Sequence, residues 1–392
     1  LQAYSGLSPF SHFAQKSSSM RVPFIDLEAQ YQSLKGELDK AINDAVKGFN
    51  FIRGKEVSDF EAAFSRTMNL PHVVATGNGT DALFMALKVL GIGPGDEVIT
   101  PAFSCIPSAE VITLCHATPV FADVHPETYT LDPERFEQHI TPRTKAVITV
   151  HLFGQGAHVE EIRSLCDRHN LYLIEDCAQA HGTQVNGRPV GTFGHASAFS
   201  FYPTKNLGAY GDAGGFATTD TQLAEKARRL ANHGALGKDD HLFEGFNSRM
   251  DTLQAAVLLV KLPHLAAWNT KRRTNAETYH SLLKSIPEIT LPCQRPGTTH
   301  TFHIYAIRAQ KRNELQNFLQ DKGIQTLVHY PGALHNLPAY RHLSHAPDDF
   351  PVANRLSQEL LSLPIYPEIT EEQLRYVCTS IRDFYCRPQK NQ

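Results

Sequence analysis

Between residues 72 and 174 short β-branched runs alternate with amphipathic stretches of about ten residues, and this alternation constrains the fold more than any other feature of the chain. Strands are predicted at 72–76, 97–100, 119–124, 146–150 and 171–174, and helices at 82–90, 108–115, 133–140 and 159–169. Strand, helix, strand at that spacing means an α/β domain around a mostly parallel sheet, whose strand-end loops carry the chemistry. Upstream, Leu27, Tyr31, Leu34, Leu38, Ile42 and Val46 recur in steps of three and four, so 26–47 is an amphipathic helix, and 55–68 is a second.

With 392 residues the chain is long for one core. Helices are expected at 221–231 and 252–262, the latter capped by Asp251 and broken or kinked at Pro263, with a further helix to about 283. A strand at 302–308, a helix at 313–322 and a strand at 326–329 then describe a smaller C-terminal α/β domain. The expected division is a disordered leader or cloning remnant at 1–19 with Met20 as the natural start, a large domain at 20–262 and a small one at 263–392.

Composition removes several classes of function. A net charge of -3 gives no electrostatic reason for nucleic acid or an anionic membrane as partner, and the apolar runs are too short to span a bilayer. A soluble, cytoplasmic protein is expected. Seven scattered cysteines without a Cys-x-x-Cys pair are expected reduced and packed in the interior. Twenty histidines include no zinc-binding spacing, so no metal is assigned.

Four stations carry the chemistry. Thr76-Gly77-Asn78-Gly79-Thr80-Asp81-Ala82 joins a strand to a helix, so bare N–H groups and the Thr80 hydroxyl can face an anion; a simple helix cap reads the same residues equally well. A dinucleotide fingerprint would need an acidic residue closing the next strand, where Thr100-Pro101 stands, so a single phosphate is the better reading. Phe103 lies just past that strand; taken alone it reads as core packing. Asp176 ends the strand at 171–174, where parallel sheets bind ligands, or else caps a helix. Lys205 follows an apolar run and precedes Gly208, Gly211, Gly214 and Gly215, a turn where backbone approaches something closely. Desolvation there lowers a lysine toward the neutral amine that attacks a carbonyl. Cradle, aromatic, carboxylate and lysine, in that order on an α/β sheet, are the parts that hold pyridoxal phosphate.

Gly79-Thr80-Asp81-Ala82-Leu83, Glu175-Asp176-Cys177-Ala178-Gln179-Ala180-His181-Gly182, Phe199 to Gly208 and Asn247-Ser248-Arg249-Met250-Asp251 resemble the DegT/DnrJ/EryC1/StrS sugar aminotransferases, from about Val22 to the C-terminus. The resemblance implies a fold type I transferase dependent on pyridoxal phosphate. It implies Lys205 as the Schiff-base lysine and proton shuttle, Asp176 on the ring nitrogen and Gln179 on the ring hydroxyl. Gly79, Thr80 and Ser200 would hold the phosphate, and Phe103 would cover the ring. Asn247 would reach the neighbouring subunit's cofactor, making the active unit a homodimer. Arg249, His329 and Tyr330 resemble positions that contact the donor carboxylate or the sugar nucleotide, although a surface ion pair and interior packing are their ordinary readings. The implied reaction moves an amino group from an amino acid, glutamate in the family, to a nucleotide-linked keto sugar, 3-keto rather than 4-keto.

Three other readings have sequence discriminators. The sugar dehydratases of this family resemble the aminotransferases with histidine in place of the lysine, whereas Lys205 is present. An NAD-dependent oxidoreductase would need the missing acidic residue. A non-catalytic sensor keeping the fold would have no need of Lys205 and Asp176 together.

Overall fold

Asp26 starts helix α1 (Leu27–Lys47), its carboxylate accepting the Ala29 N–H at 2.8 Å. Helix α2 (Lys55–Met68) buries Phe60, Phe64 and Met68 along one stripe. The computed structural model describes residues 20–386, and the leader expected at 1–19 lies outside the described residues.

The chain then winds through β1 (His72–Thr76), α3 (Gly79–Val89), β2 (Glu97–Pro101), α4 (Pro107–Leu114), β3 (Thr118–Ala122), α5 (Pro133–Glu137), β4 (Thr144–Val150), α6 (Val159–Arg168) and β5 (Tyr172–Asp176). A short hairpin, β6 (Gln184–Val185) and β7 (Arg188–Pro189), precedes β8 (Ala196–Ser200) and β9 (Gly214–Thr218). Seven of these strands form one sheet in the order β1-β9-β8-β5-β4-β2-β3, and β9 alone runs against its neighbours. Both faces are covered. Val73, Val147, Leu173 and Phe199 pack into one core, and the residues after or before them, Val74, Ile148, Ile174 and Ala198, into the other. Two buried faces make each strand a continuous apolar run rather than an alternating one. The parallel direction brings the C-terminal ends of β1, β2, β5 and β8 to one edge.

Strand β9 corrects the reading of 208–215 as turn alone. Gly214 and Gly215 begin a strand between β1 and β8, and a Cβ on Gly214 would lie 2.2 Å from the Asn78 carbonyl. Only glycine lets β9 pass the start of α3.

Helices α7 (Thr221–Leu230) and α8 (Thr252–Lys261) complete this layer, and one 3₁₀ turn at Leu262–His264, containing Pro263, leads into α9 (Leu265–Leu283). Asp251 stands at the start of α8 but its carboxylate makes no capping bond. A second core forms around β10 (Ile289–Thr290), β12 (Tyr305–Ala309) and β13 (Leu360–Leu363), reached past β11 (Thr298–Thr299), which joins the β6-β7 hairpin. Helices α10 (Arg312–Asp321), α11 (Pro351–Glu359) and α12 (Glu371–Cys386) flank it. Tyr279, Tyr305, Leu315, Leu361 and Val377 fill it, joined by Val22, which pairs with Ile324. The strand expected at 326–329 is only a single bridge, Leu327 to Ser362. No helix of the described residues is long and apolar enough to cross a membrane. All seven cysteines are unbridged, but Cys105, Cys293 and Cys386 are exposed rather than packed inside.

Lys261, at the end of α8, has no exposed surface. Its amine donates to the Gly208 carbonyl at 2.8 Å and lies 4.1 Å from the centre of the Tyr210 ring. Burial lowers its pKa from 10.5 to about 8, with the Glu368 carboxylate opposing. The unfolded chain carries an ordinary lysine, so between those two values it binds more protons than the folded one, and stability rises with pH. At roughly 1.4 kcal/mol per pKa unit, wild type is expected to gain about 3 kcal/mol over this window relative to Lys261→Met. Denaturant unfolding of both proteins across that range measures it, and parallel pH profiles would contradict the assignment.

Candidate active site

β5 is the middle strand of the main sheet, and its last residue, Asp176, stands in register with Val150 of β4 and Ala198 of β8. Its Oδ1 accepts the Ala178 N–H at 3.0 Å, and Oδ2 has no hydrogen-bond partner among the described residues. Burial raises the pKa of this carboxyl, while the Ala178 N–H, Lys205 and His151 pull it down. Glu175 points to the opposite face, as strand alternation requires. It accepts the N–H groups of Gly191, Phe193 and Gly194 at 2.7, 2.7 and 2.6 Å and meets His151 Nε2 at 3.0 Å. His151, Glu175 and Cys177 are close enough together to hold a metal. Glu175 and His151 are, however, committed to internal bonds, His151 Nδ1 taking the Ala157 N–H at 3.1 Å. They brace the strand end that presents Asp176.

Lys205 sits in the turn after β8. Its N–H donates to the Tyr202 carbonyl at 2.8 Å, and a Cβ on Gly208 would lie 2.3 Å from the Pro203 oxygen, so the turn closes only around glycine. The side chain is half-buried, and Nζ makes no hydrogen bond or ion pair among the described residues. Burial lowers the amine below the ordinary 10.5, while Cys105 and Asp176 oppose that shift. Three histidines feel the Lys205 charge. His181 is lowered to about 3 and His329 to about 4, and His303 falls well below 6.5, in each case first by burial and then by Lys205. His181 and His329 therefore stay neutral at physiological pH.

Gln179 is held at both ends: Oε1 accepts the Phe153 N–H at 2.7 Å, and Nε2 donates to the Tyr330 hydroxyl at 2.9 Å, with one hydrogen remaining. The Tyr330 ring meets Phe103 edge-on at 6.1 Å, and Phe103 is buried. Burial keeps the Tyr330 phenol protonated far above pH 10. His329 Nδ1 meets Ser362 Oγ at 2.9 Å.

At the first station, Asn78 caps α3, its side chain accepting the Asp81 N–H at 2.8 Å. The N–H groups of Gly79 and Thr80 have no partner among the described residues, as expected in a first helical turn. A Cβ on Gly79 would lie 2.6 Å from that of Ser200, so glycine lets the helix start and the end of β8 share one concavity. Ser248 ties in a further segment, its Oγ accepting the Gly77 N–H at 3.1 Å and donating to Asp81 at 2.6 Å.

The fold therefore gathers Lys205, Asp176, Gln179, Phe103, His329 and Tyr330 at one sheet edge, with Gly79, Thr80 and Ser200 beside them. It does not bring Asn247 and Arg249 to Lys205 of the same chain. Asn247 is exposed, and Arg249 lines a separate cleft with Arg53 and Arg228, bonding Asn232 at 3.0 Å through Nη1 while its Nε has no partner among the described residues. Sequence reasoning missed Cys105, His181, His303 and Ser248. Ser248 and His181 lie inside the quoted motifs, whereas the approach of Cys105 and His303 to Lys205 has no local signal.

A lysine amine without a partner, facing a strand-end carboxylate beside a helix N-terminus, defines a carbonyl-binding site of the amino-group transfer class. Residues 32–382 match the DegT/DnrJ/EryC1/StrS aminotransferase family, to which the chain belongs. It is 45% identical over 368 residues to a pleiotropic regulatory protein of Geobacillus stearothermophilus, covering 93% of this chain and 99% of that one. It is 41% identical over 361 residues to a UDP-N-acetyl-3-dehydro-alpha-D-glucosamine 3-aminotransferase of Acidithiobacillus ferrooxidans, covering 92% and 97%. The crystal structure of Streptomyces venezuelae DesV in complex with a ketimine intermediate superposes with a TM-score of 0.92 at 42% identity, covering 94% of this chain and all of that one.

Proposed function

We propose that this aminotransferase uses pyridoxal phosphate to move an amino group from L-glutamate to C3 of a nucleotide-linked 3-keto sugar. The observation that carries the reading is the unpartnered Lys205 amine, lowered by burial, beside Asp176. The residues present fit the cofactor: an amine for its carbonyl, a carboxylate oxygen free for its ring nitrogen, and two free N–H groups with Ser200 for its phosphate. When bound, pyridoxal phosphate supplies a carbonyl carbon that amines attack and a ring that takes up the electron pair of a breaking Cα–H bond.

The chain's own residues do the rest. With the cofactor bound, Lys205 would hold its carbonyl carbon, and once freed by the incoming amino acid its amine would take the Cα proton and return it one carbon away. The same lysine runs this transfer in reverse when the keto sugar accepts the amino group. Asp176 would hold a proton on the ring nitrogen, and the remaining Gln179 N–H would donate to the ring hydroxyl. Phe103 keeps water from the ring face, and His329 and Tyr330 line the substrate side. The homodimer is supported by the exposure of Asn247 and of Phe49, 80% exposed, and Leu242, 70% exposed, apolar residues that a second copy would cover. The name of the Acidithiobacillus relative supports C3. Unbridged cysteines support a reducing compartment, the cytoplasm.

The name of the Geobacillus relative favours a second reading, a regulatory protein that retains the fold. Borohydride reduction after incubation with pyridoxal phosphate, followed by peptide mapping, separates the two. The expected result is a pyridoxyl group on Lys205 and faster amination of 3-keto than of 4-keto sugar nucleotides with glutamate. An unlabelled lysine would leave the regulatory reading.

A further inference from the structure

We propose that Asn269, with Asn206 as its partner, is a positioning residue that locks the Lys205 turn to the segment carrying Asp176 and Gln179; this rests on the aminotransferase reading above. Asn269 lies on α9, far in sequence from both segments, and is only 4% exposed. Its Oδ1 accepts from Asn206 Nδ2 at 2.9 Å, and its Nδ2 donates to the His181 carbonyl at 2.8 Å. Asn206 is the residue after Lys205, and His181 follows Gln179 by two positions. One side-chain amide therefore bonds directly to both halves of the site.

Asn206 extends the lock. Its second Nδ2 hydrogen goes to the Thr301 carbonyl at 3.1 Å, and its Oδ1 accepts from His303 Nδ1 at 3.1 Å, so the chain entering β12 is held to the same point. The seat is shaped for the amide as well as bonded to it. Gly182 has φ +84° and a Cβ there would lie 2.8 Å from Asn269 Nδ2, so any side chain would push the amide aside. A buried amide that only filled space would leave costly unpaired polar groups, and an apolar side chain would pack there more cheaply. Here both Nδ2 hydrogens of Asn206, both oxygens and one Asn269 hydrogen are used, so the pair carries orientation as well as volume. Lys205 has no partner of its own at Nζ among the described residues, and its aim follows from the backbone that Asn206 pins. A misplacement of about 1 Å costs about 10²-fold in a reaction that depends on alignment.

The test compares wild type with Asn269→Asp, which keeps size and the acceptor for Asn206 but removes the donor to His181, and with the smaller Asn269→Ser. For each protein loaded with pyridoxal phosphate, the measurements are borohydride labelling, kcat and KM for the amino donor, thermal midpoint, and the pH midpoint of the absorbance band of the lysine-cofactor linkage. The lock requires kcat to fall about 10²-fold in both variants with KM little changed, and the spectroscopic midpoint to move by about one pH unit. Wild-type kcat and midpoint in labelled variants, with only the thermal midpoint lowered, would overturn the lock and leave the aminotransferase reading intact. Absence of the label in wild type would overturn both.

Discussion

Lys205→Ala is expected to lose at least about 10³-fold in turnover while keeping its fold, because in the proposed reaction one side chain serves as both nucleophile and proton carrier. The fold should survive because the Lys205 amine bonds to nothing else among the described residues. The turn is held by its neighbours, Asn206 through Asn269 and Gly208 through Lys261. Circular dichroism should match wild type, cofactor should bind without a covalent link, and borohydride should label no residue. A small primary amine such as methylamine, added to the assay, should restore part of the rate, since it can replace the missing proton carrier in the vacated space. Substantial activity without added amine would sink the proposed chemistry.

The second large effect is expected from Asp176→Asn. The change is isosteric, and the amide oxygen can still accept the Ala178 N–H at 3.0 Å, so the β5 terminus should hold its shape. What is lost is the negative charge proposed to face the ring nitrogen. Removing a preorganised electrostatic partner of this kind costs about 10²–10³-fold in kcat. A second consequence runs through Lys205. The Asp176 charge raises the lysine amine against the lowering effect of burial, so its removal should lower that pKa further. Labelling of the cofactor-free lysine by an amine-reactive reagent as a function of pH measures this, with the midpoint expected to move down. A normal kcat in this variant would remove Asp176 from the ring nitrogen, whatever the midpoint does.

Three histidines lie around the lysine: His181, His303 and His329 are all lowered, first by burial and then by the Lys205 charge. Cys105 belongs to the same field. Burial raises its thiol pKa, while Lys205 and the Tyr330 hydroxyl pull the other way.

Much of this arrangement is legible in the sequence because its signals are local. Apolar period and strand-end position are properties of neighbouring residues, so β1 to β5, the helices between them, the kink at Pro263 and the order of cradle, aromatic, carboxylate and lysine all follow from the chain alone. Asp176 is singled out over its neighbour Glu175 there by resemblance, and the structure adds the physical reason, because strand alternation turns one into the crevice and the other onto the 191–194 loop. Strand β9 was hidden for a different reason: its paired glycines read as a turn, and their use, letting β9 pass the start of α3, exists only once β1 and β8 lie on either side. The strand expected at 326–329 failed in the opposite direction, a suitable local pattern without a neighbour to pair with beyond Ser362. Tertiary structure alone decided that Asn269 would meet Asn206 and His181, that His303 would reach the lysine turn, and that Asn247 and Arg249 would stay apart from Lys205 of their own chain. These are contacts between segments tens to hundreds of residues apart. Their geometry is set by strand order and by how the second core docks, and no short-range pattern encodes either.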